Sequence, residues 1–233
     1  MKAYIIYLPE IPHSVEIANE AVIAAGQFGI NAELFPGING LYCKDLFEII
    51  GIKKLLSKNM KVPGVQGCFL SHFKLWQYCV EIQETILILE HDGILLREIP
   101  LDVEKHFTEI LNLDPCDQFS DEYNENILRT QLYPIEYNSL IHVNNKHHLA
   151  GYYIPGAYGY LIKPKGAQKL IDWALKKGAL PTDKHIGTNT VDIKITSVPV
   201  VRLHKFYNST NIKKFSGTKH LEKFMPNNSA DSV

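Results

Sequence analysis

An α/β fold, with a central and mostly parallel sheet flanked by helices, is what the sequence predicts, and three stretches carry that expectation. The first is the opening. Lys2–Leu8 is rich in β-formers, Ser14–Phe28 spaces its apolar residues as a helix does, and Asn31–Phe35 is β-rich again. Strand, helix, strand in that order is a βαβ unit, which implies parallel strands joined by a right-handed crossover. The second is the apolar run Ile86–Leu89, which reads as a strand buried on both faces. The third is Gly156–Ile162 followed by the amphipathic stretch Lys165–Leu175, a strand and its covering helix.

Each element has a local reason. Val15, Ala18, Val22 and Ala25 share one face of the first helix; Ser14 is its expected N-cap, Glu16 sits in its first turn, and Gly29 ends it. Pro36-Gly37 is a turn. Leu41–Lys58 reads as loop and short helix, closed by the breaker Val62-Pro63-Gly64. Gly67–Glu81 is a strong helix, with Cys68, His72, Leu75, Trp76 and Cys79 on adjoining positions. Asp102–Leu111 is expected to be helical. Asp114–Tyr153 is long, polar and irregular, yet its aromatic content is unlike simple disorder, and its pair His147-His148 is a further candidate for metal ligation, though adjacent histidines rarely converge on one ion. Gly178 ends the late helix, Pro181-Thr182-Asp183 is a turn, and Val191–Ile195 and Thr196–Val201 are short strands. No repeat or linker divides the chain, so residues 1–224 are expected to form one domain with 225–233 as a flexible tail.

Bulk properties exclude several classes. Lys and Arg number 24 against 25 Asp and Glu, a net charge of -1, so nothing overall attracts nucleic acid or an anionic membrane. The lysines near the C-terminus, from Lys205 to Lys223, read as a solvated tail. No apolar run reaches the ~20 residues of a transmembrane helix. The N-terminus reads as a strand rather than a signal peptide. Cys43, Cys68, Cys79 and Cys116 show no CxxC pairing and read as reduced thiols of a cytoplasmic protein. Neither GxGxxG after the first strand, nor GxxxxGK[ST], nor GxSxG, nor HExxH is present.

The chemistry concentrates where the central strand ends. In Ile86–Leu96 (ILILEHDGILL) the apolar run stops at Glu90, His91 and Asp92 and resumes after Gly93. A buried strand thus delivers two carboxylates and an imidazole to its C-terminal end, where open α/β sheets bind ligands. Crowded carboxylates repel unless a cation or a proton offsets the charge. Oxygen ligands suit Mg²⁺ or Mn²⁺, ions that also hold substrate phosphates. The expectation is a metal-assisted site for a phosphate-bearing donor.

Four segments together resemble glycosyltransferase family 25, the lipooligosaccharide-type glycosyltransferases. They are the opening unit with Phe35-Pro36-Gly37-Ile38-Asn39-Gly40; Gly67-Cys68-Phe69-Leu70-Ser71-His72-Phe73-Lys74-Leu75-Trp76, similar to the family's GC-x-x-SH-x-x-x-W block; Ile88-Leu89-Glu90-His91-Asp92, at the place of its LEDD; and Gly156–Ile162 with Lys165-Gly166-Ala167 and Pro181-Thr182-Asp183. They span most of residues 1–205. The resemblance implies a GT-A-like, Rossmann-type single domain that uses a UDP-sugar and Mn²⁺ or Mg²⁺. Glu90 and Asp92 would occupy acidic positions of the donor motif, while His91 replaces an acid but can still ligate a metal.

On that resemblance, Asp92, His91 and His204 are candidate metal ligands. Ser71, His72, Tyr160 and Lys205 join Glu90, His91 and Asp92 as candidate donor-site residues, and Arg202 is an alternative cation for the diphosphate. An inverting transfer needs a base for the acceptor hydroxyl, for which Asp183 is the first candidate and Asp192 the second. Tyr158 and Tyr160 are both candidates to line the sugar site, with one of the two expected in the core. The implied acceptor is a glycan such as lipopolysaccharide, lipid-linked at the inner membrane surface. Alternatives are transfer to a protein or a modified nucleic acid, or a non-catalytic nucleotide-sugar-binding protein.

Overall fold

A computed structural model describes residues 1–43, 45–115, 133–140 and 145–204. The expected tail, Cys116 and most of the irregular middle lie outside the described residues. Among the described residues the central sheet has seven strands: β1 (Lys2–Tyr7), β2 (Ala32–Pro36), β3 (Ile86–Glu90), β5 (Ile110–Asn112), β6 (Tyr137–Ser139), β9 (Gly159–Ile162) and β10 (Ile193–Thr196), in the order β2-β1-β3-β9-β5-β10-β6. β1, β2, β3, β5 and β10 all run one way, while β9 and β6 run against them. Two short ribbons lie outside this sheet: β4 (Gly93–Leu95) with β11 (Val201–Leu203), and β7 (Lys146–His147) with β8 (Gly151–Tyr152).

Alternation along the strands sorts the core into two layers. Tyr4, Ile6, Ile86, Ile88, Tyr160 and Ile162 pack under α3 (Pro63–Ile82) and α4 (Pro164–Lys177), and Phe47 of the one-turn helix α2 (Leu46–Ile49) joins them. Ala3, Ile5, Leu87, Leu89 and Leu161 face the other way, under α1 (Pro12–Gln27) and the β4–β11 ribbon. Both faces of β3 are therefore apolar, as its unbroken run requires.

Several local expectations are corrected. α1 starts at Pro12, with proline at the first helical position, so Ser14 is not its cap. The Ser14 hydroxyl instead accepts from the Leu8 backbone N–H at 2.9 Å and ties the helix to the end of β1. Pro63 opens α3 for the same reason; it begins the helix rather than breaking it. Asp102–Leu111 is not a helix. It divides into a 3₁₀ turn at Val103–Lys105 and β5, whose three residues are held between β9 and β10. Pro181-Thr182-Asp183 leads into a one-turn helix, α5 (Thr182–His185).

One contact sets the depth of α3. A Cβ on Gly67 would lie 2.3 Å from the Ile38 carbonyl oxygen, so only glycine lets the helix approach the loop after β2. The Ser71 hydroxyl, one turn on, accepts from Ile38 N–H and donates to the Gly67 carbonyl, both at 2.7 Å.

Candidate functional site

β3 delivers Glu90 to the sheet edge, where the Glu90 N–H donates to the Tyr158 carbonyl at 3.0 Å. The chain turns at His91-Asp92 and continues as β4. A Cβ on Gly93 would stand 2.2 Å from that same Tyr158 carbonyl, which explains the glycine after Asp92. β4 then pairs with β11, and the His204 N–H closes the ribbon on the Asp92 carbonyl at 2.7 Å.

Asp92 is 1% exposed, and neither of its carboxylate oxygens has a hydrogen-bond partner among the described residues. Burial, and next the charge of Glu90, push its carboxyl up to about 8. An ionised carboxylate left this way is costly unless a cation supplies the missing contact. The residue therefore fits a divalent ion.

Glu90 is fixed from behind. His72, fully buried, bonds the Glu90 Oε1 through Nε2 at 3.1 Å and the Tyr160 hydroxyl through Nδ1 at 2.8 Å. Trp76 Nε1 donates to the same hydroxyl at 2.8 Å. Indole can only donate, so Tyr160 accepts from Trp76 and gives its own hydrogen to Nδ1. With Nδ1 accepting from the phenol, Nε2 is the imidazole nitrogen that donates to Glu90. Burial works to raise the Glu90 carboxyl, but the His72 hydrogen bond and the His72 and His91 imidazoles outweigh it and hold the group low. Cys68 and Thr182 complete this edge: Cys68 Sγ lies 3.4 Å from Glu90 Oε1 and 3.3 Å from Thr182 Oγ1.

Asp183 follows Thr182 on α5 and lines a small pocket with Asn112, Gly156 and Tyr160. It is half-buried, and its Oδ1 accepts from the Lys184 N–H at 2.8 Å. Burial raises its pKa; the Lys184 contacts oppose this, and the charge of Glu90 adds to it.

The structure thus brings Glu90, Asp92, His72, Tyr160 and Asp183 to one edge of the sheet, with His91 beside them. Burial lowers the His91 pKa, Glu90 opposes that, and His13 adds to it. Other candidates are placed differently. The Ser71 hydroxyl is spent on the Ile38 loop and Gly67, so it supports the fold rather than facing a donor. The His204 backbone adjoins Asp92, but its Nε2 lies 2.8 Å from Glu20 Oε2 on α1. Asp192 does not reach the site. It precedes β10, which runs parallel to β3, so it lies at the opposite end of the sheet, bonded to Thr108 and Glu109. Tyr158 packs in the α1-side core, leaving Tyr160 as the site tyrosine. Arg202 is on β11 opposite Ile94, and its Nε is buried without a partner among the described residues. Lys205 lies outside the described residues. Cys68 and Thr182 were not among the sequence candidates. The signal for Cys68 was its spacing: residues 68, 72 and 76 are four apart and fall on one face of α3.

With this geometry in place, comparison with known proteins identifies the class. The family description "Glycosyltransferase family 25 (LPS biosynthesis protein)" matches residues 18–186. The chain belongs to glycosyltransferase family 25. A "Glycosyltransferase 25 family member" of Aedes aegypti is 32% identical over 95 residues, which are 37% of this chain and 16% of that protein. The chain thus spans under a fifth of that relative's length. Among solved structures, the glycosyltransferase GlyE of Streptococcus pneumoniae is 13% identical with a TM-score of 0.40, covering 82% of this chain and 45% of that one. The galactosyltransferase LgtC, solved with donor and acceptor sugar analogs, is 15% identical with a TM-score of 0.34, covering 84% and 73%. The family assignment rests on the sequence match. No helix among the described residues is long and apolar enough to cross a membrane.

Proposed function

We propose that this chain is a metal-assisted, inverting hexosyltransferase. It moves galactose or glucose from a UDP-sugar to a glycan acceptor of the lipopolysaccharide type. One observation carries the donor half of the reading: the buried Asp92 carboxylate at the tip of β3, with no partner among the described residues.

Asp92 would hold Mn²⁺ or Mg²⁺, with His91 as the adjacent nitrogen donor. When bound, the cation supplies positive charge against the diphosphate, which gains negative charge as the sugar leaves. The protein does the rest. Glu90, oriented through His72 and Tyr160, presents a carboxylate whose side chain is 25% exposed, suited to sugar hydroxyls. Asp183 takes the proton of the attacking acceptor hydroxyl. Its burial raises its basicity above that of an open carboxylate, which favours proton transfer near neutral pH.

A lipid-linked acceptor at a membrane surface is supported by exposed apolar and basic side chains in the segments 41–55 and 175–177. Leu41, Tyr42, Ile49, Leu55 and Leu175 are exposed, as are Lys53, Lys54, Lys176 and Lys177. The segment carrying Lys54 is bonded to Ala179, just past the C-terminus of α4. Exposed apolar side chains with interspersed lysines suit an anionic lipid surface.

The test is a panel of UDP-sugars with Mn²⁺, read first as donor hydrolysis and then as transfer to glycan acceptors. Turnover of one UDP-hexose is expected. Nucleotide binding without any turnover would instead support a non-catalytic binding protein.

A further inference from the structure

We propose that Cys68, His72 and Glu90 form a second cation site, selective for a thiophilic divalent ion such as Zn²⁺ and separate from the oxygen-rich site at Asp92. It shares His72 and Glu90 with the donor edge proposed above, and it stands on side-chain placement rather than on glycosyl transfer.

The placement follows from the helix. Cys68 and His72 are one turn apart on α3, so their side chains share a face, and that face meets the end of β3. His72 Nε2 is 3.1 Å from Glu90 Oε1, Cys68 Sγ is 3.4 Å from the same oxygen, and one ligand atom of each residue lies within 4.8 Å of the others. Tetrahedral Zn²⁺, with bonds of about 2.0–2.3 Å, needs ligand atoms about 3.4–3.6 Å apart. The two spacings to Glu90 are within a few tenths of an ångström of that, and the Cys68–His72 spacing, at most 4.8 Å, closes by side-chain rotation as the ion binds.

The surroundings suit it as well. Zinc-bound histidine normally gives its other N–H to a fixed acceptor. Here Nδ1 already faces the Tyr160 hydroxyl at 2.8 Å, and that oxygen is held by Trp76. Binding at Nε2 moves the His72 proton to Nδ1, which then donates to the Tyr160 oxygen, and the phenol hydrogen turns away. The Cys68 thiol loses its proton to solvent as the S–Zn bond forms, so one proton is released per ion. Two anionic ligands then neutralise the charge of the ion. Access is open, since Cys68 is half-buried and Glu90 is partly exposed. Three protein ligands leave a fourth position for water. Sulfur and imidazole favour Zn²⁺ or Co²⁺, whereas Mn²⁺ and Mg²⁺ prefer oxygen.

Co²⁺ reports the site directly. Titration of the reduced full chain should produce a thiolate-to-cobalt charge-transfer band that saturates at one equivalent, disappears on adding Zn²⁺ and survives excess Mg²⁺. In Cys68→Ser the band should be lost and Zn²⁺ affinity should fall by at least about 100-fold, with circular dichroism and thermal unfolding of the apo protein unchanged. In Asp92→Asn the band should persist, which separates this ion from one held at Asp92. No stoichiometric band in the wild type, or an unaltered band in Cys68→Ser, would overturn the proposal.

Discussion

Replacing Tyr160 with Phe tests the anchor behind Glu90, because it removes one oxygen and almost no volume. That oxygen accepts from Trp76 Nε1 and bonds His72 Nδ1, both at 2.8 Å, and all three residues are essentially fully buried. The variant leaves two polar groups in the core without partners, at about 1–3 kcal/mol each, or about 2–6 kcal/mol together. A chain of this size loses about 2–4 °C of Tm per kcal/mol, so a mid-range cost of about 4 kcal/mol lowers Tm by about 8–16 °C. Urea unfolding followed by tryptophan fluorescence measures the cost directly. The midpoint should fall while the m-value stays constant, since the fold is retained. Tyr42→Phe, at a side chain 77% exposed, is the control and should change stability by less than about 0.5 kcal/mol. A Tyr160→Phe cost as small as the control's would refute the network. It would mean that the Tyr160 hydroxyl does not hold His72 in place behind Glu90.

Two further outcomes follow from buried groups. His185 stacks on Trp76 with ring centroids 5.4 Å apart, and burial pushes its pKa down to about 4 against the Leu170 carbonyl hydrogen bond. The unfolded chain takes up this proton near pH ~6.5, so stability is intact above that pH and falls as pH drops toward about 4, by about 3 kcal/mol in all. His185→Gln should lose this slope in urea titrations at several pH values, and a slope equal to wild type would place its origin elsewhere. Asp183→Asn should lower kcat by about 10²–10⁴-fold while leaving the donor Kd unchanged, by kinetics and calorimetry together. Unchanged kcat would remove Asp183 from the role of base.

The parts legible in the sequence are those whose cause is local. The βαβ opening, β3 and α3 each carry a periodic or unbroken apolar pattern that few other conformations satisfy. Glu90, His91 and Asp92 were legible because an apolar run ends on them. What was hidden depends on distant contacts. Ile110–Asn112 is a strand only because β9 and β10 pair with it, and its three residues have no pattern of their own. β9 is inserted antiparallel between β3 and β5, a pairing that no short window records. Asp192 looked like a site carboxylate until the direction of β10 placed it at the far end. Cys68 meets Thr182 across 114 positions, so helical spacing could mark its face but not its neighbour.

The measurement closest to the heart of the proposal is calorimetric titration of UDP into wild type and Asp92→Asn, with and without Mn²⁺. Wild type should bind the nucleotide tightly only when the ion is present. The variant should stay folded, at least as stable as wild type above pH ~8, where it is spared a buried charge, and should lose the ion-dependent affinity. Mn²⁺-dependent UDP binding that is undiminished in Asp92→Asn would show that the diphosphate is held somewhere other than at the tip of β3.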